Sequence, residues 1–124
     1  MAIVDEGRHI VLDLPYEAAL GETTRAIQAE GLEVIARVDV RDHFRTSLRS
    51  DFRRYQFLDA WVPEEALELL RADLDRGATL PVRFAVFELS DGETAVVDDE
   101  RSEHAARILG RLRRLPRSAE RPAA

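Results

Sequence analysis

Between residues 9 and 14 apolar and polar positions alternate, with Ile10, Leu12 and Leu14 on one side. That is the two-residue period of a half-buried strand, and Pro15 closes it. The period then lengthens: Ala19, Leu20, Thr23 and Ile27 recur at helical spacing over residues 16–30. Gly31 stands where a left-handed C-terminal cap belongs, with Leu32 placed to fold back on the last turn. Alternation returns over residues 33–40 and predicts Val34, Ala36, Val38 and Val40 on one face, with Ile35 on the other. Asp42 is the predicted cap of a short helix to about residue 49, its Phe44, Ser47 and Leu48 turned inward. Residues 53–61 form a third strand with Tyr55, Phe57 and Trp61 on one face and Leu58 and Ala60 on the other. Pro63-Glu64-Glu65 is a helix start, since proline fits the first turn and acids favour its positive end. That helix carries Ala66, Leu67, Leu70 and Leu74 and is predicted to end at Gly77. Strands at 82–89 and 94–97 flank the hairpin signal Ser90-Asp91-Gly92. Ser102 caps a last helix with the stripe Ala105, Ile108, Leu109 and Leu112.

The order β-α-β-(short α)-β-α-β-β-α predicts an α+β fold: a small mixed or antiparallel sheet covered by helices on one side. At 124 residues the chain fits a single domain, expected over residues 1–116, with residues 117–124 as a flexible tail after Pro116. It contains no cysteine, which excludes disulfides, a thiol nucleophile and thiolate-bound metal. The opening MAIVDEGRHI carries acids where a secretory signal would be basic, and no apolar run approaches ~20 residues. A soluble, cytoplasmic protein with no membrane contact is the expectation.

All 18 basic residues are arginine. The net charge of −6 is unevenly spread: residues 101–124 hold seven arginines against two glutamates, leaving residues 1–100 at −11. An acidic body does not suit general nucleic-acid binding, which needs a basic footprint. The basic end is poised instead to lie on its own body, on a twin subunit or on an acidic partner.

Read together, Gly31-Leu32-Glu33-Val34-Ile35, Asp39-Val40, Asp51-Phe52-Arg53-Arg54-Tyr55, then Leu58, Ala60 and Pro63, and finally Leu80-Pro81, resemble the pattern of the domain-of-unknown-function 302 family. The resemblance covers roughly residues 9–99. It implies a fold akin to the TATA-binding-protein half-saddle, often dimeric, and it implies no reaction. In the family's usual pattern a Cys-Asn pair precedes the strand-ending proline and a second follows the Leu-Pro. Here those positions are Trp61-Val62 and Val82-Arg83. The two positions are expected to be neighbours, with Trp61 filling the vacated space and Arg83 stacked on it.

Asp51, Arg53 and Tyr55 alternate, so a carboxylate, a guanidinium and a phenol share one predicted face and form a candidate pocket for a small polar or anionic ligand. The competing reading is a structural ion pair beside a packed tyrosine. Asp59 lies on the same face and, if buried, needs a partner. With Trp61 and Arg83 these complete the candidate ligand-binding set. Arg41, Arg45, Arg49 and Arg53 fall four apart, a basic ridge suited to phosphate or to solvent. His9, His43 and His104 have no metal-ligand spacing, and Asp98-Asp99-Glu100 reads as acids before a helix start. No metal, cofactor or catalytic serine is expected. The sequence thus points to a non-enzymatic ligand-binding or protein-interaction module acting as a homodimer. The alternative is a small enzyme or redox-linked accessory protein using Asp51, Arg53 and Tyr55.

Overall fold

The computed structural model describes residues 9–99 and 102–115; the expected tail boundary at Pro116 and Glu100 of the acid run lie outside them. The elements are β1 (His9–Leu12), α1 (Tyr16–Ala29), β2 (Glu33–Asp39), α2 (Val40–Leu48), β3 (Tyr55–Trp61), α3 (Pro63–Ala72), a 3-10 turn (Leu74–Thr79), β4 (Val82–Ser90), β5 (Glu93–Asp98) and α4 (Glu103–Arg113). The five strands form one sheet in the order β1-β5-β4-β3-β2, every neighbour antiparallel. Since β1 and β2 occupy opposite edges, α1 has to cross the sheet between them, and α4 packs beside it.

Strand alternation decides which face those helices cover. Ile10, Leu58, Ala60, Phe84, Val86 and Val96 point to one side and are buried together with Ile27 of α1 and Ile108, Leu109 and Leu112 of α4. Thr94 shares that interior, and its hydroxyl donates to the Leu14 carbonyl at 2.9 Å, giving a buried acceptor its partner. The other side carries Tyr55, Phe57, Ala85, Phe87 and Val97, half-buried, with no described helix laid across it. Only one corner is leaned upon: Phe44 of α2 meets Phe52, which meets Tyr55, which stacks on Phe87 at 5.0 Å.

The end of α1 follows its sequence cue. Gly31 adopts φ 88°, Leu32 N–H donates to the Ile27 carbonyl at 3.1 Å, and Gly31 N–H to that of Gln28 at 3.0 Å. A left-handed residue closing two reversed hydrogen bonds is the low-energy stop that glycine permits.

Three predicted details are corrected. First, β2 does not keep one face. A bulge between Val34 and Ala36 inserts a residue, so Val34 opposes Ala60 on the helix side while Val38 opposes Phe57 on the open side, 40% exposed. Second, α2 starts earlier, because the cap is Asp39 rather than Asp42: its carboxylate accepts the Asp42 N–H at 2.9 Å. No residue of α2 is buried, and Leu48 is exposed rather than inward. Third, α3 stops at Ala72 and not at Gly77. The Asp73 carboxylate accepts the Asp75 N–H at 3.1 Å, and this local turn displaces the helical bond, leaving Leu74 exposed.

Candidate functional site

Three chain reversals meet at one end of the β3–β4 pair. Val62-Pro63 leads β3 into α3, Leu80-Pro81 (a cis bond) leads the 3-10 turn into β4, and Ser102 begins α4. Each is fixed locally: Pro63 suits a first helical turn, and the Ser102 hydroxyl caps α4 by accepting the His104 N–H at 3.0 Å. Between them lies a cavity of about 650 Å³. Its lining mixes apolar residues, among them Leu32, Trp61, Val62, Ala66, Leu80 and Val82, with polar ones such as Glu65, Arg76, Asp99 and His104.

His104 is held from both sides. A guanidinium nitrogen can only donate, so the 2.9 Å contact of Arg107 makes Nδ1 the acceptor. Nε2 then carries the hydrogen and donates it to Glu65 at 3.1 Å. Arg107 is itself anchored, because its Nε donates to Glu30, the residue that ends α1. Arg111 donates to the other Glu30 oxygen at 2.9 Å. These hydrogen bonds, from Arg111 first and then Arg107, hold the Glu30 carboxyl below the usual carboxylate range. Two of the basic residues of α4 thus lie on the chain's own body.

The residues singled out from sequence are distributed differently. Trp61 and Val82 border the same cavity, and Ala60 pairs with Val82 across the sheet, so the two positions are neighbours. Trp61 does not fill the space, and Arg83 is not stacked on it. The Arg83 guanidinium lies over Phe57, 4.3 Å from the ring centroid, and binds Asp59 through two bonds of 2.8 and 3.0 Å. That pair supplies the partner a buried Asp59 requires. Asp51 is exposed in the loop before β3. Arg53 donates to the Glu88 carbonyl at 3.3 Å. Tyr55 lines a separate small cleft whose lining includes neither Asp51 nor Arg53.

Sequence reasoning missed Glu65, His104, Arg107 and Glu30, because they lie far apart in the chain. His104 and Glu65 are separated by 39 positions and Arg107 and Glu30 by 77. The one local signal was the i,i+3 spacing of His104 and Arg107 on α4. Among the described residues no group of three or more His, Asp or Glu side chains is placed to hold a metal ion, and no helix is long and apolar enough to cross a membrane.

Comparison with known proteins places the chain. The sequence matches, over residues 8–114, the family described as "Domain of unknown function DUF302". Its fold is similar to that of an uncharacterized conserved DUF302 protein from Bacillus stearothermophilus, known from a crystal structure. The TM-score is 0.67 at 20% sequence identity, over 85% of this chain and 91% of that one. No curated protein matches the sequence.

Proposed function

The chain belongs to the DUF302 family, and on that premise we propose that it is a non-enzymatic binding module. Its ligand is a small molecule with an apolar body, held in the cavity between α3 and α4. The carrying observation is the cavity itself: about 650 Å³, lined by apolar and polar residues together, within the ~300–1,000 Å³ range of small-molecule sites. Trp61 is among its lining residues, and the Glu65 carboxylate, which His104 holds through one oxygen, supplies the directional contact. Among the described residues the hydroxyl nearest the histidine in sequence, that of Ser102, is committed to capping α4, which favours binding over acyl chemistry.

Trp61 is the chain's one tryptophan, so the test has a built-in reporter. N-phenylnaphthylamine, a neutral apolar dye excited by tryptophan emission, is titrated into the protein. Saturable one-to-one binding with quenching of Trp61 is expected, and Leu69→Arg, which puts a charge into the cavity wall, abolishes it while the circular dichroism stays unchanged. Unsaturable binding, or binding indifferent to Leu69→Arg, rejects the proposal.

A second reading, self-association as a homodimer, is favoured by the sheet face opposite α1 and α4. Val38 on its edge strand is 40% exposed beside half-buried Phe57 and Phe87, and a twin subunit would remove that apolar surface from water.

A further inference from the structure

The basic ridge noted in the sequence resolves into a second site, independent of the cavity above. At the junction of β2 and α2 a small polar cleft of about 240 Å³ opens between α1, α2 and the start of β3. Tyr16, 4% exposed, is one of its lining residues, with the Arg54 guanidinium 5.9 Å from its ring centroid. Arg41 and Arg45, one helical turn apart on α2, form a second side. The Arg41 Nε–H is buried and has no acceptor, and neither Arg41 nor Arg45 has an ion-pair partner among the described residues. A buried guanidinium N–H without an acceptor carries the full desolvation cost of a charged donor, so it marks a place where a partner is missing.

The cleft also contains carboxylates, and their commitments decide its character. Asp39 is engaged as the cap of α2. Glu17 faces Arg54 at 3.9 Å. With Asp42 these two carboxylates balance Arg41, Arg45 and Arg54, three charges to three, so what distinguishes the cleft is not its net charge but two guanidinium groups that have no ion-pair partner among the described residues. The donors in the lining are the Arg41, Arg45 and Arg54 guanidinium groups and the Tyr16 and Tyr55 hydroxyls, with Gln56 both donor and acceptor. Burial, followed by the Asp39 carboxylate, raises the Tyr16 phenol above its usual range, so it stays an O–H donor at neutral pH.

We infer that this cleft binds a small oxyanion, a carboxylate or a phosphate or sulfate group, through Arg41, Arg45 and the Tyr16 hydroxyl. Arginine presents a planar fork that suits two-oxygen groups, and a second arginine one turn away supplies the other side of the clamp. At about 240 Å³ the space admits one such group with a short substituent.

The full chain is titrated with inorganic phosphate, sulfate and acetate against chloride at matched ionic strength, following the arginine Nε–Hε signals by nuclear magnetic resonance. A saturable shift of the Arg41 signal is expected with at least one oxyanion and none with chloride. Arg41→Gln and Arg45→Gln should each weaken binding about tenfold or more, the loss of one charge-assisted hydrogen bond. Neither should unfold the chain, because α2 buries no residue. Arg49→Gln, on the same helix but outside the cleft, should leave affinity unchanged. The inference is overturned if chloride produces the same shift, if none of the three oxyanions saturates, or if Arg49→Gln weakens binding as much as Arg41→Gln.

Discussion

Replacing Glu30 by glutamine tests how the last helix is fastened. Glu30 ends α1 and accepts from both Arg107 and Arg111 across the α1–α4 interface. Its side chain is 13% exposed, while the arginines are 50% and 43% exposed. Charge-assisted bonds of this kind reach ~1.5–3 kcal/mol when sequestered. Half-exposed partners are screened towards ~0.2–1 kcal/mol each, so the two together should contribute about 1–1.5 kcal/mol. For a domain of this size that lowers the melting temperature by about 3–8 °C. The pH dependence follows from the direction of the shift. The folded carboxyl titrates below its ordinary value of 4.5, so its contribution is complete above that value and is lost as pH falls through the folded one. Thermal melts by circular dichroism should therefore show a gap between wild type and Glu30→Gln at neutral pH that closes as the pH falls below the ordinary carboxylate range. A gap under about 1 °C at neutral pH, or one that persists undiminished in acid, would refute the clamp.

Further outcomes follow from single features. Arg49 closes α2 at φ 53°, a conformation that costs a residue with a Cβ about 1–2 kcal/mol. Arg49→Gly should raise stability by about 0.5–1 kcal/mol in urea denaturation, glycine's looser unfolded chain offsetting part of the gain. Thr94→Val keeps the shape but leaves the Leu14 carbonyl without its donor, and should lose about 1–2 kcal/mol by the same measurement. Size-exclusion chromatography with light scattering should find a dimer that Val38→Arg converts to monomer with an unchanged circular dichroism spectrum; a monomeric wild type removes that reading.

How far the sequence reached is clearest where one local period had no competitor. The α4 stripe Ala105, Ile108, Leu109 and Leu112 is buried as its spacing predicts, and Ser102 caps it. Gly31 and Leu32 close α1 as their types require. The failures share a cause: a short polar side chain bonding to nearby backbone, or an inserted residue, overrides the period. Asp39 and Asp73 each move a helix boundary, and the β2 bulge turns Val38 away from Val34. The cavity was half legible. Trp61 and Val82 were expected to be neighbours, but register pairing places them and cannot say whether the space between is full. Beyond the His104–Arg107 spacing, the Glu65–His104–Arg107–Glu30 chain left no trace in the sequence, because it joins three helices that only the packed tertiary structure brings together.

The most direct measurement is a crystal structure of the full chain grown with N-phenylnaphthylamine. Density for the dye against Trp61, Val62 and Val82, with the Glu65–His104 contact intact at its edge, is the predicted result. Dye spread over Phe57, Phe87 and Val38 on the open sheet face, with the cavity holding only solvent, would contradict it.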